Sequence, residues 1–129
     1  MSKRINISSG AKWEDMFGYS RAVRVGNVIE VSGTTAVDEN SEVVGAGDMY
    51  AQAKYALQKI EKAIQEAGGQ MTDVVRTRVY MTDFGLFDEV AKAHQEIFEE
   101  IKPASSAIEA KLVSPDLLVE IEATAIVAE

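Results

Sequence analysis

The sequence predicts an α+β domain in which two helices pack on one face of a mixed β-sheet. Three observations carry this expectation. Two stretches, residues 48–67 and 86–101, repeat apolar side chains at helical spacing. The remaining apolar segments alternate with polar residues in the manner of half-buried strands. The order is strands, helix, strand, helix, strands, which suits helices gathered on one side of a single sheet. A length of 129 residues fits one domain, spanning 1–129, and is enough to bury about two thirds of the unfolded surface.

Residues 4–8 are a short candidate first strand. Segments 22–25 and 28–32 flank Gly26-Asn27, a two-residue hairpin signal that is weaker in this order than as Asn-Gly. Gly45-Ala46-Gly47 lacks the Lys-Ser/Thr ending of a phosphate loop and reads as the loop that admits the first helix. In that helix Ala53, Leu57, Ile60, Ile64 and Ala67 form one stripe, opposite Gln58, Glu61, Lys62 and Gln65. Gly47-Asp48 opens it and Gly68-Gly69 closes it. Strand 74–82 places Val75, Thr77, Val79 and Met81 on one face and Val74, Arg76, Arg78 and Tyr80 on the other. The second helix carries Phe87, Val90, His94, Ile97 and Ile101 in a stripe, with Phe98 beside it, Asp83 where a cap can sit and Pro103 beyond its end. Segments 106–112 and 118–127 form the final strand pair. In the last strand Val119, Ile121, Ala123, Ala125 and Val127 point one way, and Leu118, Glu120, Glu122, Thr124 and Ile126 the other.

If helices cover one face, the opposite face carries Arg76, Arg78, Tyr80, Glu120 and Glu122 among apolar residues. Such a surface is too apolar for open water and too charged for a dry core. Association of subunits resolves the conflict and leaves clefts where the charges meet.

Composition removes several function classes. The formal charge of −8 repels phosphate backbones, so a nucleic-acid partner is not expected. No apolar run reaches the length of a membrane span, and the opening Met-Ser-Lys-Arg-Ile-Asn has no secretory core, so a cytoplasmic protein without a membrane partner is expected. With no cysteine and a single histidine, no disulfide, thiolate or zinc site is expected, and no metal or cofactor is implied. Ser20, Ser32 and Ser105-Ser106 lack a Gly-x-Ser-x-Gly elbow, and His94 has no evident acidic partner, which argues against a serine hydrolase.

Several segments together are similar to one family. Gly18-Tyr19-Ser20-Arg21-Ala22-Val23, then Val31-Ser32-Gly33, the Gln-Ala within the first helix, Asp73-Val74-Val75-Arg76-Thr77, Pro103-Ala104-Ser105-Ser106-Ala107-Ile108-Glu109 and Val119-Glu120-Ile121-Glu122-Ala123 resemble the RidA (YjgF) family in order and spacing. The resemblance covers nearly the whole chain. It implies a chorismate-mutase-like fold and a homotrimer whose sheets form a central barrel, with three small-molecule clefts between subunits. Members with the full motif hydrolyse enamine and imine metabolites such as 2-aminoacrylate to 2-keto acids and ammonia. The matching site positions are Tyr19, the Gly33 backbone and Glu120. Three positions depart: the family's carboxylate-binding arginine is Ser105 here, an asparagine of the second helix is Ala91, and a common cysteine is Ala107.

Hydrolysis of an α-imino acid needs a carboxylate anchor, an oriented water and a proton for the departing ammonia. Glu120 can serve the last two if its surroundings raise its pKa, with Tyr19 beside it as the other catalytic candidate. Ser105 cannot replace an arginine as a charge, and losing a charged partner costs about 2–5 kcal/mol. Other cations are available: Arg21 shares a face with Tyr19, and Arg76 and Arg78 share with Tyr80 the face expected at the interface. Arg24 faces away from Arg21, so Arg21 is preferred. Gly33, Ser105, Ala107, Arg21, Arg78 and His94 are thus the candidate substrate-binding positions. A lone histidine in an apolar stripe is more often a packed residue than a base, and a Glu-x-Glu strand pair is more often solvated. Trp13 is either a cleft rim or an N-terminal plug. Two other classes stand beside the hydrolase: a non-catalytic metabolite-binding or protein-interaction module, and an endoribonuclease or translation inhibitor, which the charge disfavours.

Overall fold

A computed structural model describes residues 3–128. Its centre is a six-stranded sheet in the order β1-β2-β3-β6-β4-β5. The strands are β1 Arg4–Ile7, β2 Ala22–Val25, β3 Val28–Thr34, β4 Val74–Met81, β5 Ala104–Glu109 and β6 Val119–Ile126. All neighbours are antiparallel except β4 and β5, which run parallel and are joined through the helical crossover that such a pair requires. Helices α2 (Met49–Glu66) and α3 (Phe87–Phe98) cover one face, and the expected α+β architecture is observed.

α2 forms where its stripe predicts. The Asp48 carboxylate accepts from the Ala51 backbone N–H at 3.0 Å, and Ala53, Leu57, Ile60, Ile64 and Ala67 are all buried. Beyond the last turn Gly68 takes φ +89°, and Gly69 N–H returns to Ile64 O at 2.9 Å. Arg24 adds a bond from Nη1 to Ala67 O at 2.8 Å, tying β2 to the end of the helix. On the sheet, Ile29, Val31, Val79, Met81, Val119, Ile121, Ala123 and Ala125 complete the core. Gln52 is wholly buried beside it: its amide donates to Asp116 O at 2.9 Å and Gly45 O at 3.3 Å, and accepts from Leu118 N–H at 2.8 Å. That amide fastens the loop before α2 to the segment that leads into β6.

Four expectations need correction. The final two strands do not pair with each other. β5 begins at Ala104, directly after Pro103, and lies on the sheet's edge beside β4, whereas β6 crosses to the middle between β3 and β4. Burial explains the exchange, because the inner residues of β6 are wholly buried and suit a central strand, while β5 is almost entirely exposed. In β4 a register irregularity between Val74 and Arg76 turns Val74 inward and leaves Val75 43% exposed, exchanging their expected faces. The second helix begins one residue later than expected and ends at Phe98; its buried residues are Val90, Ala93 and Phe98, and Phe87 lies outside. Asp83 caps the short 3₁₀ turn before it, accepting from Gly85 N–H. Finally, a helix α1 (Lys12–Phe17) is present that the periodicity does not reveal. It is fastened by the buried Glu14, which accepts from Ser8 Oγ at 3.0 Å, from Ser9 N–H at 3.1 Å and from Ser9 Oγ, and it ends at Gly18 with φ +87°.

Candidate functional site

The sheet around Gly33 and Glu120, the chain around α1, the loop after β3 and one side of α2 together line a cavity of about 800 Å³. Trp13 of α1, Tyr19, Arg21, Gly33, Lys59 and Glu120 stand on its wall. β3 is irregular between Val31 and Thr34 where it pairs with β6, and Gly33 sits in that irregularity. The absence of a side chain there has a purpose in packing. A Cβ at position 33 would lie 2.9 Å from Glu120 Cδ and 3.3 Å from its Cγ and would collide with Oε2. The carboxylate of Glu120 therefore rests directly on the Gly33 backbone.

Burial and two charged neighbours set the character of Glu120. Burial raises its pKa above the ordinary carboxylate value, the charge of Glu122 raises it further, and Arg21 opposes both. Glu122 lies two residues on, within the Arg78 and Tyr80 side chains: Tyr80 OH donates to it at 3.3 Å and Arg78 Nη1 is 3.7 Å away. Burial and then Glu122 raise the Tyr80 pKa. Arg76 donates to Ser106 Oγ at 2.8 Å. Arg21 is only 7% exposed. Its Nη2 donates to Gly33 O at 2.9 Å, its guanidinium lies 5.5 Å from the centre of the Tyr19 ring, and its Nε is buried without a partner among the described residues.

The structure thus brings Tyr19, Arg21, Gly33 and Glu120 to one cavity and leaves the other candidates elsewhere. Arg78 lies on the sheet face, paired to Glu122. Ser105 and His94 meet on the helix side of β4 through the fully buried Thr77, whose hydroxyl is 2.7 Å from Ser105 Oγ and 2.9 Å from His94 Nε2. Ala107 is exposed two residues further along β5. Lys59 is a cavity residue that sequence reasoning does not single out, and Glu122, read there as one of a solvated pair, also lines the cavity. Lys59 gives only the faint signal of a lysine next to the apolar stripe of α2.

Burial against Phe98, whose ring centre is 4.5 Å away, lowers the pKa of His94. An unfolded histidine takes up its proton near 6.5, so the folded chain resists protonation that the unfolded chain accepts. Stability from the neutral ring is complete above that value and is lost as pH falls through and below it. Thermal unfolding by calorimetry should show a lower midpoint at about pH 5.5 than at about pH 7.5, and His94→Gln should shrink that difference.

Among the described residues no cluster of three or more His, Asp or Glu side chains is placed to hold a metal ion, and no helix is long and apolar enough to cross a membrane.

Comparison with known proteins gives a consistent outcome. Residues 11–127 match the family described as endoribonuclease L-PSP. The chain is similar to the 3-aminoacrylate deaminase RutC of Acinetobacter baylyi, at 34% identity over 97% of this chain and 98% of that one. It is also similar to a RutC family protein of Pyrococcus abyssi, at 36% identity over 83% of this chain and 84% of the relative. Among solved structures, a member of the YjgF/YER057c/UK114 family from Mycobacterium tuberculosis superposes with a TM-score of 0.88 at 44% identity, covering 97% of this chain and all of that one. The Escherichia coli YjgF gene product gives a TM-score of 0.79 at 30% identity, covering 94% and 93%.

Proposed function

We propose that this chain, which belongs to the endoribonuclease L-PSP (YjgF/RidA) family, hydrolyses an enamine or imine metabolite with Glu120 as the proton shuttle. The observation that carries this reading is the Glu120 carboxylate, half-buried over Gly33 at the edge of a cavity and raised in pKa. A carboxyl group in that state holds a proton nearer neutrality than a solvated one does. It protonates the substrate nitrogen, or the β-carbon of an enamine, and as carboxylate it takes a proton from the attacking water. The carbinolamine then expels ammonia and leaves a carbonyl group, a ketone or an aldehyde according to the substrate. Tyr19 stands beside the same cavity as a hydrogen-bonding partner for substrate or water. The deaminase named among the relatives acts on 3-aminoacrylate, an enamine acid, and supports this class of substrate.

The working unit in this reading is a cytoplasmic homotrimer of one-domain chains. The sheet face carrying Arg76, Arg78, Tyr80 and the exposed Val75 turns inward, and no nucleic acid takes part. Within one chain, Ser105, Ala107 and His94 stand on β5 and α3, apart from Tyr19, Gly33 and Glu120. A neighbouring copy supplies the second group to each cleft. Sedimentation equilibrium should give a mass three times the 14.0 kDa of the chain; a 14.0 kDa species at micromolar concentration would remove the interface cleft from the account.

A second reading, a metabolite-binding or protein-interaction module without turnover, is favoured by one observation. Ser105 is neutral and is tied to Thr77, so it offers no charge to a substrate carboxylate. The two readings separate in one assay. Imino acids generated by an amino-acid oxidase should decay faster with the protein than in buffer. Stabilisation by ligand in thermal unfolding without any such acceleration would favour the binder. If Glu120→Ala also left ligand binding untouched, the role of Glu120 would fall altogether.

A further inference from the structure

We propose that Arg21 and Lys59 together form an anion subsite on the cavity wall, one that takes the carboxylate of a small 2-oxo or 2-imino acid where Ser105 cannot. This deepens the hydrolase reading and rests on it for the identity of the substrate. The backbone builds the subsite. Carbonyl groups of residues 33–37, the segment that leaves β3, hold both cations: Gly33 O accepts from Arg21 Nη2 at 2.9 Å, and Thr35 O and Val37 O accept from Lys59 Nζ at 3.1 and 2.8 Å. Both side chains line the same cavity. Two of the three ammonium protons of Lys59 are thereby used, and one remains for a ligand.

Neither cation is neutralised directly. Among the described residues the ion pairs within 4.0 Å are Lys54–Glu96 and Arg78–Glu122, both elsewhere. The carboxylates facing Lys59 are those of Glu14 on α1 and Asp38 in the loop after β3, and Arg21 faces it from the start of β2. Glu14 is occupied by Ser8 and Ser9, and Asp38 accepts from the N–H groups of Asn40 and Glu42 at 2.9 and 3.0 Å. Glu120 lies over Gly33, close enough for Arg21 to act on its charge. The unpartnered Nε of Arg21, on a side chain 7% exposed, marks a cation whose donors are not all used. Burial, helped by the repulsion of Arg21, lowers the Lys59 pKa to about 8, so the pair is held with its charges in conflict. A carboxylate between them satisfies both sets of donors and relieves that repulsion. Trp13 and Tyr55 on the same wall offer apolar surface for the rest of the molecule.

Calorimetric titration of the full chain with 2-oxobutanoate, and with the neutral 2-oxobutanamide, tests the subsite without requiring turnover. The oxoacid should bind at least about tenfold more tightly than the amide, and Lys59→Met should remove about that factor for the acid alone. Lys59→Arg should keep most of it. Affinity for the acid should decline between about pH 7 and about pH 9.5 in the unmodified chain, and that decline should vanish in Lys59→Met. Lys59 is partly solvated, so its variants test the subsite even if Arg21→Gln fails to fold. Equal binding of acid and amide, no effect of Lys59→Met, or no oxoacid binding at millimolar concentration would each overturn the subsite. Imine turnover that survives Lys59→Met unchanged would leave the hydrolase standing without it. Acid-selective binding with no turnover would do the reverse.

Discussion

Glu120→Gln should lower kcat/KM for imine hydrolysis by about 10²- to 10⁴-fold, the range that a positioned proton-transfer group contributes. The substitution keeps the shape of the side chain and its seat over Gly33 but removes the titrating group. Stability should not fall, because the ionised carboxylate is itself held half-buried beside Glu122, whose charge raises its pKa. Gly33→Ala offers an independent route to the same loss. Its Cβ would occupy the space of the Glu120 carboxylate and force that group aside. Because both changes act on one group, their effects should not add: in a Glu120→Gln background, Gly33→Ala should cost little further activity. Steady-state kinetics on the four proteins of this cycle, with urea unfolding as the control for stability, decides the matter. Full additivity would mean that Gly33 acts on something other than Glu120.

Gln52→Leu should destabilise the fold by about 3 kcal/mol, lowering the thermal midpoint by about 10 °C. Leucine nearly matches the volume of glutamine, so little packing is lost. What is lost is the partner of two backbone groups, the carbonyl of Asp116 and the N–H of Leu118, while Gly45 O keeps its bond from the Asp48 N–H at 2.9 Å. An unsatisfied buried backbone group costs about 1–3 kcal/mol, and relaxation of the two loops should recover part of the total. The change should also loosen the start of β6, where Glu120 stands. Urea unfolding with an unchanged m-value, and a lower midpoint, is the expected result. A loss below about 0.5 kcal/mol would show that water replaces the amide without penalty.

Local order was legible in the sequence, and long-range assembly was not. The periodic stripe of α2, with Asp48 before it and Gly68 after it, states a helix in terms that packing only confirms. The alternation of β6 likewise states which side is inward. α1 escaped because six residues are too few to show a period, and its anchor is a buried glutamate, a residue type that ordinarily signals surface. The placement of β5 beside β4, rather than beside β6, is a question of which strand can be buried on both sides, and neighbours in sequence are a poor guide to it. The site divides in the same way. Tyr19, Gly33 and Glu120 were legible only through family resemblance. The contact of residues 77, 94 and 105 joins two strands and a helix that no spacing rule connects. Lys59 was passed over because its distinctive feature is its pair of carbonyl partners in a loop some twenty residues earlier.

Trp13 is the sole tryptophan of the chain, half exposed on the wall that holds Arg21 and Glu120. The protein therefore carries its own optical reporter. Indole emission depends on the polarity and quenching groups around the ring, so a molecule that displaces solvent from this wall should shift or dim the fluorescence without any attached dye. Occupancy can be followed in stopped flow on the time scale of a single encounter, separately from whatever chemistry comes after.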